Sequence, residues 1–152
     1  MRVTVYVDGL CEPFNREGLA TYGFVVYIDG SKVHEGCGVV GSGRGFSNNV
    51  AEYSGLVAAL VYLLERGLEK EEVTVRTDSM LVANQMSGRW RVKGGLYLSR
   101  YIEAEKLARN FPKLRVEWVP REENWEADSL SREAYEDHRA KNGPPARYRR
   151  HG

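Results

Sequence analysis

Four carboxylates stand out in this chain of 152 residues: Asp8, Glu52, Asp78 and Asp128. Asp8 follows Val3-Thr4-Val5-Tyr6-Val7, an alternating run of β-branched and aromatic residues that predicts a strand. Asp78 follows a second run of the same kind, Val73-Thr74-Val75-Arg76-Thr77. If these strands lie side by side and parallel, both aspartates emerge at their carboxyl ends, where open α/β sheets carry their sites. Glu52 and Asp128 each fall near the start of a predicted helix, and the topology would aim all four acids at one end of the domain. Carboxylates packed together raise one another's pKa unless cations hold them. An all-oxygen set suits Mg²⁺ or Mn²⁺ and argues against zinc. Two such ions about 4 Å apart are suited to phosphoryl transfer, one activating water and one stabilising the leaving oxygen.

Two of the acids, Glu52 and Asp128, also have a plainer account. Asn49 followed three residues later by Glu52 spells a helix capping box. Asp128, just after the predicted cap Asn124, is an acid placed favourably near a helix N-terminus. The glycine-rich segment Gly41-Ser42-Gly43-Arg44-Gly45 lacks the preceding parallel strand and the Lys-Ser/Thr ending of nucleotide-binding loops. It reads either as a turn or as a close approach to a nucleic-acid strand. The segment Arg89-Trp90-Arg91-Val92-Lys93 interleaves cations with one large ring, which suits a strand backbone plus a base or sugar to stack. A solvated loop with its tryptophan packed on a neighbouring helix accounts for it equally well.

The elements that must position these residues follow from pattern and punctuation. A polar loop is expected over Gly9–Gly18, then strands over Ala20–Ile28 and Lys32–Val40 joined by the hairpin signal Asp29-Gly30. A helix from Val50 to Glu65 carries the apolar stripe Tyr53, Leu56, Val57, Leu60, Val61 and Leu64, and Gly67 closes it. It bridges the sheet, so the strand Val73–Thr77 should run parallel to the first. A short helix over Met80–Met86, a helix over Leu96–Asn110, an outer strand over Leu114–Val119 and a last helix from Trp125 to about Arg139 complete the domain.

Bulk properties agree with one folded domain, taken as residues 1–142, followed by a basic and mobile tail over 143–152. Net charge is +1, but five of the 22 basic residues and none of the 21 acidic ones lie beyond Asp137. The body is therefore mildly acidic, and a polyanion would need the tail, a local patch or bound metal. No stretch approaches the roughly 18 apolar residues of a membrane span, and the chain opens on a strand rather than a signal peptide. An intracellular, cytoplasmic protein with no membrane partner is expected, and a monomer. Cys11 and Cys37 have no metal or redox spacing and read as two ordinary thiols, with a structural disulfide between them as the alternative.

Taken in order, several segments resemble the type 1 ribonuclease H family over roughly residues 1–137. They are Tyr6-Val7-Asp8-Gly9 with Cys11, Tyr22-Gly23-Phe24-Val25, Asn48-Asn49-Val50-Ala51-Glu52-Tyr53, Thr77-Asp78-Ser79, Leu81-Val82 to Gln85, Trp118-Val119-Pro120-Arg121-Glu122, and Asn124 through Ala127-Asp128. The resemblance implies an α/β fold with a five-stranded mixed sheet, order 3-2-1-4-5, and flanking helices. It implies hydrolysis of the RNA strand of RNA–DNA hybrids, leaving 3′-hydroxyl and 5′-phosphate ends, with two Mg²⁺ or Mn²⁺ ions. Asp8 would bridge both ions, Asp128 would hold the one that activates water, and Glu52 and Asp78 would hold the other. Asn48 and Asn49 would meet the RNA strand; Ser79, Gln85, Arg89, Trp90, Arg91 and Lys93 would meet the DNA strand. Double-stranded RNA is a further candidate substrate.

Two departures from the family pattern matter. There is no histidine between His34 and His138, so the loop histidine of many members is absent and Arg121 and Glu122 are the candidates to take its part. The lysine-rich protrusion of some members is also missing, leaving the Arg89–Lys93 turn and the basic tail to supply affinity. The alternatives are a non-catalytic module binding hybrid or double-stranded RNA, and another metal-dependent nuclease of the same fold.

Overall fold

The computed structural model describes residues 1–13 and 18–143. The basic tail expected from residue 143 onward lies, but for Gly143, outside the described residues. The chain forms β1 (Arg2–Glu12), β2 (Leu19–Ile28), β3 (Ser31–Ser42), α1 (Asn48–Glu65), β4 (Glu72–Thr77), α2 (Met80–Met86), α3 (Leu98–Ala108), β5 (Leu114–Trp118) and α4 (Trp125–Asn142). A single 3₁₀ turn over Arg121–Asn124 leads into α4. The five strands form one sheet in the order β3-β2-β1-β4-β5, antiparallel among the first three and parallel from β1 through β5. This is the five-stranded mixed sheet anticipated from the sequence. Among the described residues, no helix is long and apolar enough to cross a membrane.

The period of two in β1 decides what each face does. Val3, Val5 and Val7 are fully buried, as are Val73 and Thr77 beside them on β4, under a layer made by α1 and α3. Leu56, Leu60 and Leu63 fill that interface from α1, each contributing roughly 1.5–3 kcal/mol by burial. The alternate residues Thr4, Tyr6 and Asp8 face the other way, where α4 packs over β2 and part of β1 and β3. The hairpin turn sits at Asp29-Gly30, both with positive φ (48° and 86°), the backbone that an Asp-Gly pair tolerates.

Several boundaries differ from the sequence expectation. β1 does not end at Asp8-Gly9: its ladder with β2 continues to Glu12 opposite Leu19, while its ladder with β4 stops at Val7 opposite Thr77. The expected loop over residues 9–12 is therefore strand, held by long-range hydrogen bonds rather than by its own propensity. The cap of α1 is Ser47, whose hydroxyl accepts from the Val50 amide at 3.2 Å, and not Asn49. Glu52 thus lies past the first turn, and the capping-box account of it falls. Asn124 makes no side-chain cap on α4. α3 begins at Leu98 rather than Leu96, and α4 extends to Asn142, where Gly143 (φ 76°) ends it.

Candidate active site

Asp8 projects from β1 one residue beyond its last parallel rung with β4, and Asp78 follows β4 directly. Two tethers hold the ends of this strand pair. The Asn124 side-chain amide donates to the Val7 carbonyl at 2.8 Å, and the Trp118 indole N–H donates to the Asp78 carbonyl at 3.2 Å. After Asp78 the chain turns at once into α2, because the Ser79 amide donates to Thr77 Oγ1 and the Ser79 hydroxyl caps the Val82 amide.

Glu52 reaches the same place because α1 presses against β1 at Gly9. A Cβ on Gly9 would lie 2.3 Å from the Glu52 nitrogen and 2.4 Å from the Ala51 carbonyl carbon, so only glycine permits the approach. Gly23 does the same for α4, where a Cβ would lie 2.5 Å from the Ala127 carbonyl oxygen. These two contacts carry Glu52 and Asp128 to opposite sides of Asp8.

One carboxylate oxygen from each of Asp8, Glu52 and Asp78 lies within 4.8 Å of the others. Asp128 meets the Asp8 carboxyl from α4 and lines the same cleft, whose volume is about 500 Å³. Asp8 and Glu52 are buried. Burial, then the charge of Asp78, pushes the Asp8 carboxyl up to about 8. Burial followed by the charges of Asp8 and Asp78 raises Glu52 well above the usual carboxylate range. Asp78 is raised chiefly by burial, an effect opposed by its hydrogen bond with Asp8 and by the Arg121 charge. Glu52 Oε2 is buried with no hydrogen-bond partner. An orphaned buried oxygen amid mutually repelling carboxylates is the donor set of a hard divalent cation, and the residues present fit one.

The remaining candidates divide by location. Asn48 lines the acidic cleft, and its side-chain oxygen accepts from the Cys11 amide at 3.0 Å. Asn49 beside it is exposed. Arg121 lines the cleft near Asp78, whereas Glu122 is exposed and does not. Arg89, Trp90, Arg91 and Lys93 border a second pocket of about 430 Å³, with Trp90 47% exposed. Gln85 forms the floor of that pocket. Its amide is engaged inward, accepting from the Tyr53 hydroxyl at 2.7 Å and donating to the Tyr97 hydroxyl at 2.9 Å. Sequence reasoning missed Glu12, Trp118 and Arg132 on the cleft wall. Arg132 follows Asp128 by one helical turn, a spacing that could have flagged it. Cys11 is buried and Cys37 exposed, and no disulfide joins them.

Residues 7–134 match the family model described as reverse transcriptase-like. The bifunctional protein Rv2228c of Mycobacterium tuberculosis is 40% identical over 134 residues, covering 88% of this chain and 35% of that protein. Ribonuclease HI of Halobacterium salinarum is 34% identical over 137 residues, covering 90% of this chain and 65% of its own length. The chain thus spans about a third of the length of the first curated relatives it matches. Among solved structures, LC11-RNase H1 in complex with an RNA/DNA hybrid superposes with a TM-score of 0.81 at 33% identity, covering 89% of this chain and 97% of that one.

Proposed function

The chain belongs to the type 1 ribonuclease H family, and from that premise we propose that it is a metal-dependent endoribonuclease hydrolysing the RNA strand of RNA–DNA hybrids. The observation that carries this reading is the meeting of Asp8, Glu52 and Asp78 oxygens within 4.8 Å, with Asp128 in the same cleft. Asp8 interacts with each of the other acids, and Asp8, Glu52, Asp78 and Asp128 would together hold the divalent ions. Mg²⁺ or Mn²⁺ held there would supply an activated water and neutralise the leaving oxygen, giving 3′-hydroxyl and 5′-phosphate ends.

The protein's own groups do the rest. The α1 backbone is pressed against Gly9 at Glu52, and the Glu52 side chain is buried, so the packing places this acid before substrate arrives. Asn48 presents an amide to the RNA strand from the cleft edge. The Arg89–Lys93 turn offers charge and the Trp90 ring to the DNA strand. Discrimination rests on 2′-hydroxyls read across the minor groove rather than on base sequence.

The test uses a labelled RNA–DNA hybrid beside the matching RNA duplex, DNA duplex and single strands, each with Mg²⁺, Mn²⁺ or excess EDTA. The expected result is metal-dependent internal cutting of the hybrid's RNA strand. Binding without cutting under either metal would replace this reading with that of a binding module.

A further inference from the structure

Arg132 and Glu12 form an ion pair on the wall of the acidic cleft that the proposed reaction does not use. Arg132 lies on α4 one turn after Asp128, and Glu12 is the last residue of β1, 120 positions away. The Arg132 Nη1 donates to Glu12 Oε2 at 3.1 Å, while its Nε stands 3.5 Å from Asp128 Oδ1. Glu12 is carried to this position because β1 continues past Asp8 along β2. The side chains of Arg132 and Glu12 are 43% and 40% exposed, so the pair is worth little as a stability element. Its value lies in geometry.

Asp128 is the acid that sits apart from the tight group of three, reaching the site from a helix rather than from the strand pair. The Asp128 side chain is only half-buried on its helix and has more than one staggered rotamer available. Arg132 stands beside one oxygen, Oδ1, through its Nε, and Glu12 holds the guanidinium through a different nitrogen, Nη1. The carboxyl of Asp128 is thus engaged both by Arg132 and by Asp8.

We propose that Arg132, braced by Glu12, is a positioning residue that orients Asp128 as a metal ligand. This rests on the two-ion reading of the site.

The experiment takes the full chain as wild type, Arg132→Ala, Arg132→Lys and Glu12→Gln, with melting curves confirming that each folds. Mn²⁺ binding is measured without substrate by the electron paramagnetic resonance signal of the free ion. Hybrid cleavage is then followed across Mg²⁺ concentrations. Arg132→Ala is expected to weaken one Mn²⁺ site about tenfold and to raise the Mg²⁺ needed for half-maximal cleavage by a similar factor. Its KM for hybrid at saturating metal should stay within twofold of wild type. Arg132→Lys should recover most of the loss, and Glu12→Gln should show a smaller loss. Unchanged Mn²⁺ binding with a raised KM would overturn the proposal and make Arg132 a substrate contact. No change in either would leave only a surface ion pair. A wild type that binds Mn²⁺ yet cuts no hybrid would instead refute the nuclease reading, with the Mn²⁺ comparison still deciding the role of Arg132.

Discussion

Replacing Asp8 by asparagine should raise the stability of the metal-free protein while destroying its ability to use metal. In the folded chain without cations, the Asp8 carboxyl is pushed up to about 8 from an ordinary 3.8. Between those values the folded state holds a proton that the unfolded state has released, so stability falls as pH rises from about 4 to about 8 and then levels. At pH 7 the penalty amounts to at most about 4 kcal/mol, at 1.36 kcal/mol per pK unit. Glu52 and Asp78 share the repulsion and keep part of it, so Asp8→Asn should recover about 1–4 kcal/mol. For a domain of this size that is roughly 3–12 °C in Tm. The assay is thermal melting of both proteins in EDTA at pH 4, 5.5, 7 and 8, repeated with Mg²⁺. The gap should be near zero at pH 4 and widest at pH 8. Mg²⁺ should raise the wild-type Tm and leave the variant unmoved, since only a ligand bound by the folded state stabilises it. A variant no more stable than wild type in EDTA at pH 8 would refute the account of buried, uncompensated charge.

Further outcomes follow from other contacts. Asp8→Asn, with a neutral amide in place of the shared ligand, should abolish hybrid cleavage in a gel assay while circular dichroism stays native. Gly9→Ala should cost about 1–3 kcal/mol in urea unfolding, because its Cβ meets the α1 backbone, and should lower kcat by displacing Glu52. Trp90→Ala should weaken hybrid binding by about 1–3 kcal/mol in fluorescence anisotropy with kcat unchanged, since the ring lies away from the acids. At limiting Mg²⁺ the cleavage rate should rise from pH 6 to 8 as Asp8 loses its proton, and raising Mg²⁺ should shift that rise to lower pH.

Most of the architecture was legible in local pattern. Alternation in Val3–Val7 and Val73–Thr77, the stripe on α1, and the Asp29-Gly30 turn each follow from short-range sterics and side-chain period, which is why element types could be read directly, while the full sheet order came from the family resemblance. The four acids were also visible, each near the expected boundary of an element. Their meeting was expected only through the assumed parallel pairing of β1 and β4, and at Glu52 a capping box and a metal ligand are spelled alike; the Ser47 cap removes the first, and the contact of α1 with Gly9, 43 positions earlier, brings Glu52 to the site. The extension of β1 was hidden for a related reason, since Gly9 and Glu12 have poor strand propensity and are held by the β2 ladder. Likewise Gln85, which the resemblance sets against the DNA strand, has its amide drawn inward by Tyr53 and Tyr97. The sequence by itself determined which elements form and which side chains could do chemistry, because those depend on neighbours within a few residues. Only the tertiary structure decided which carboxylates share a cleft and which arginine stands beside Asp128, because those distances are set by close packing between segments far apart in the chain.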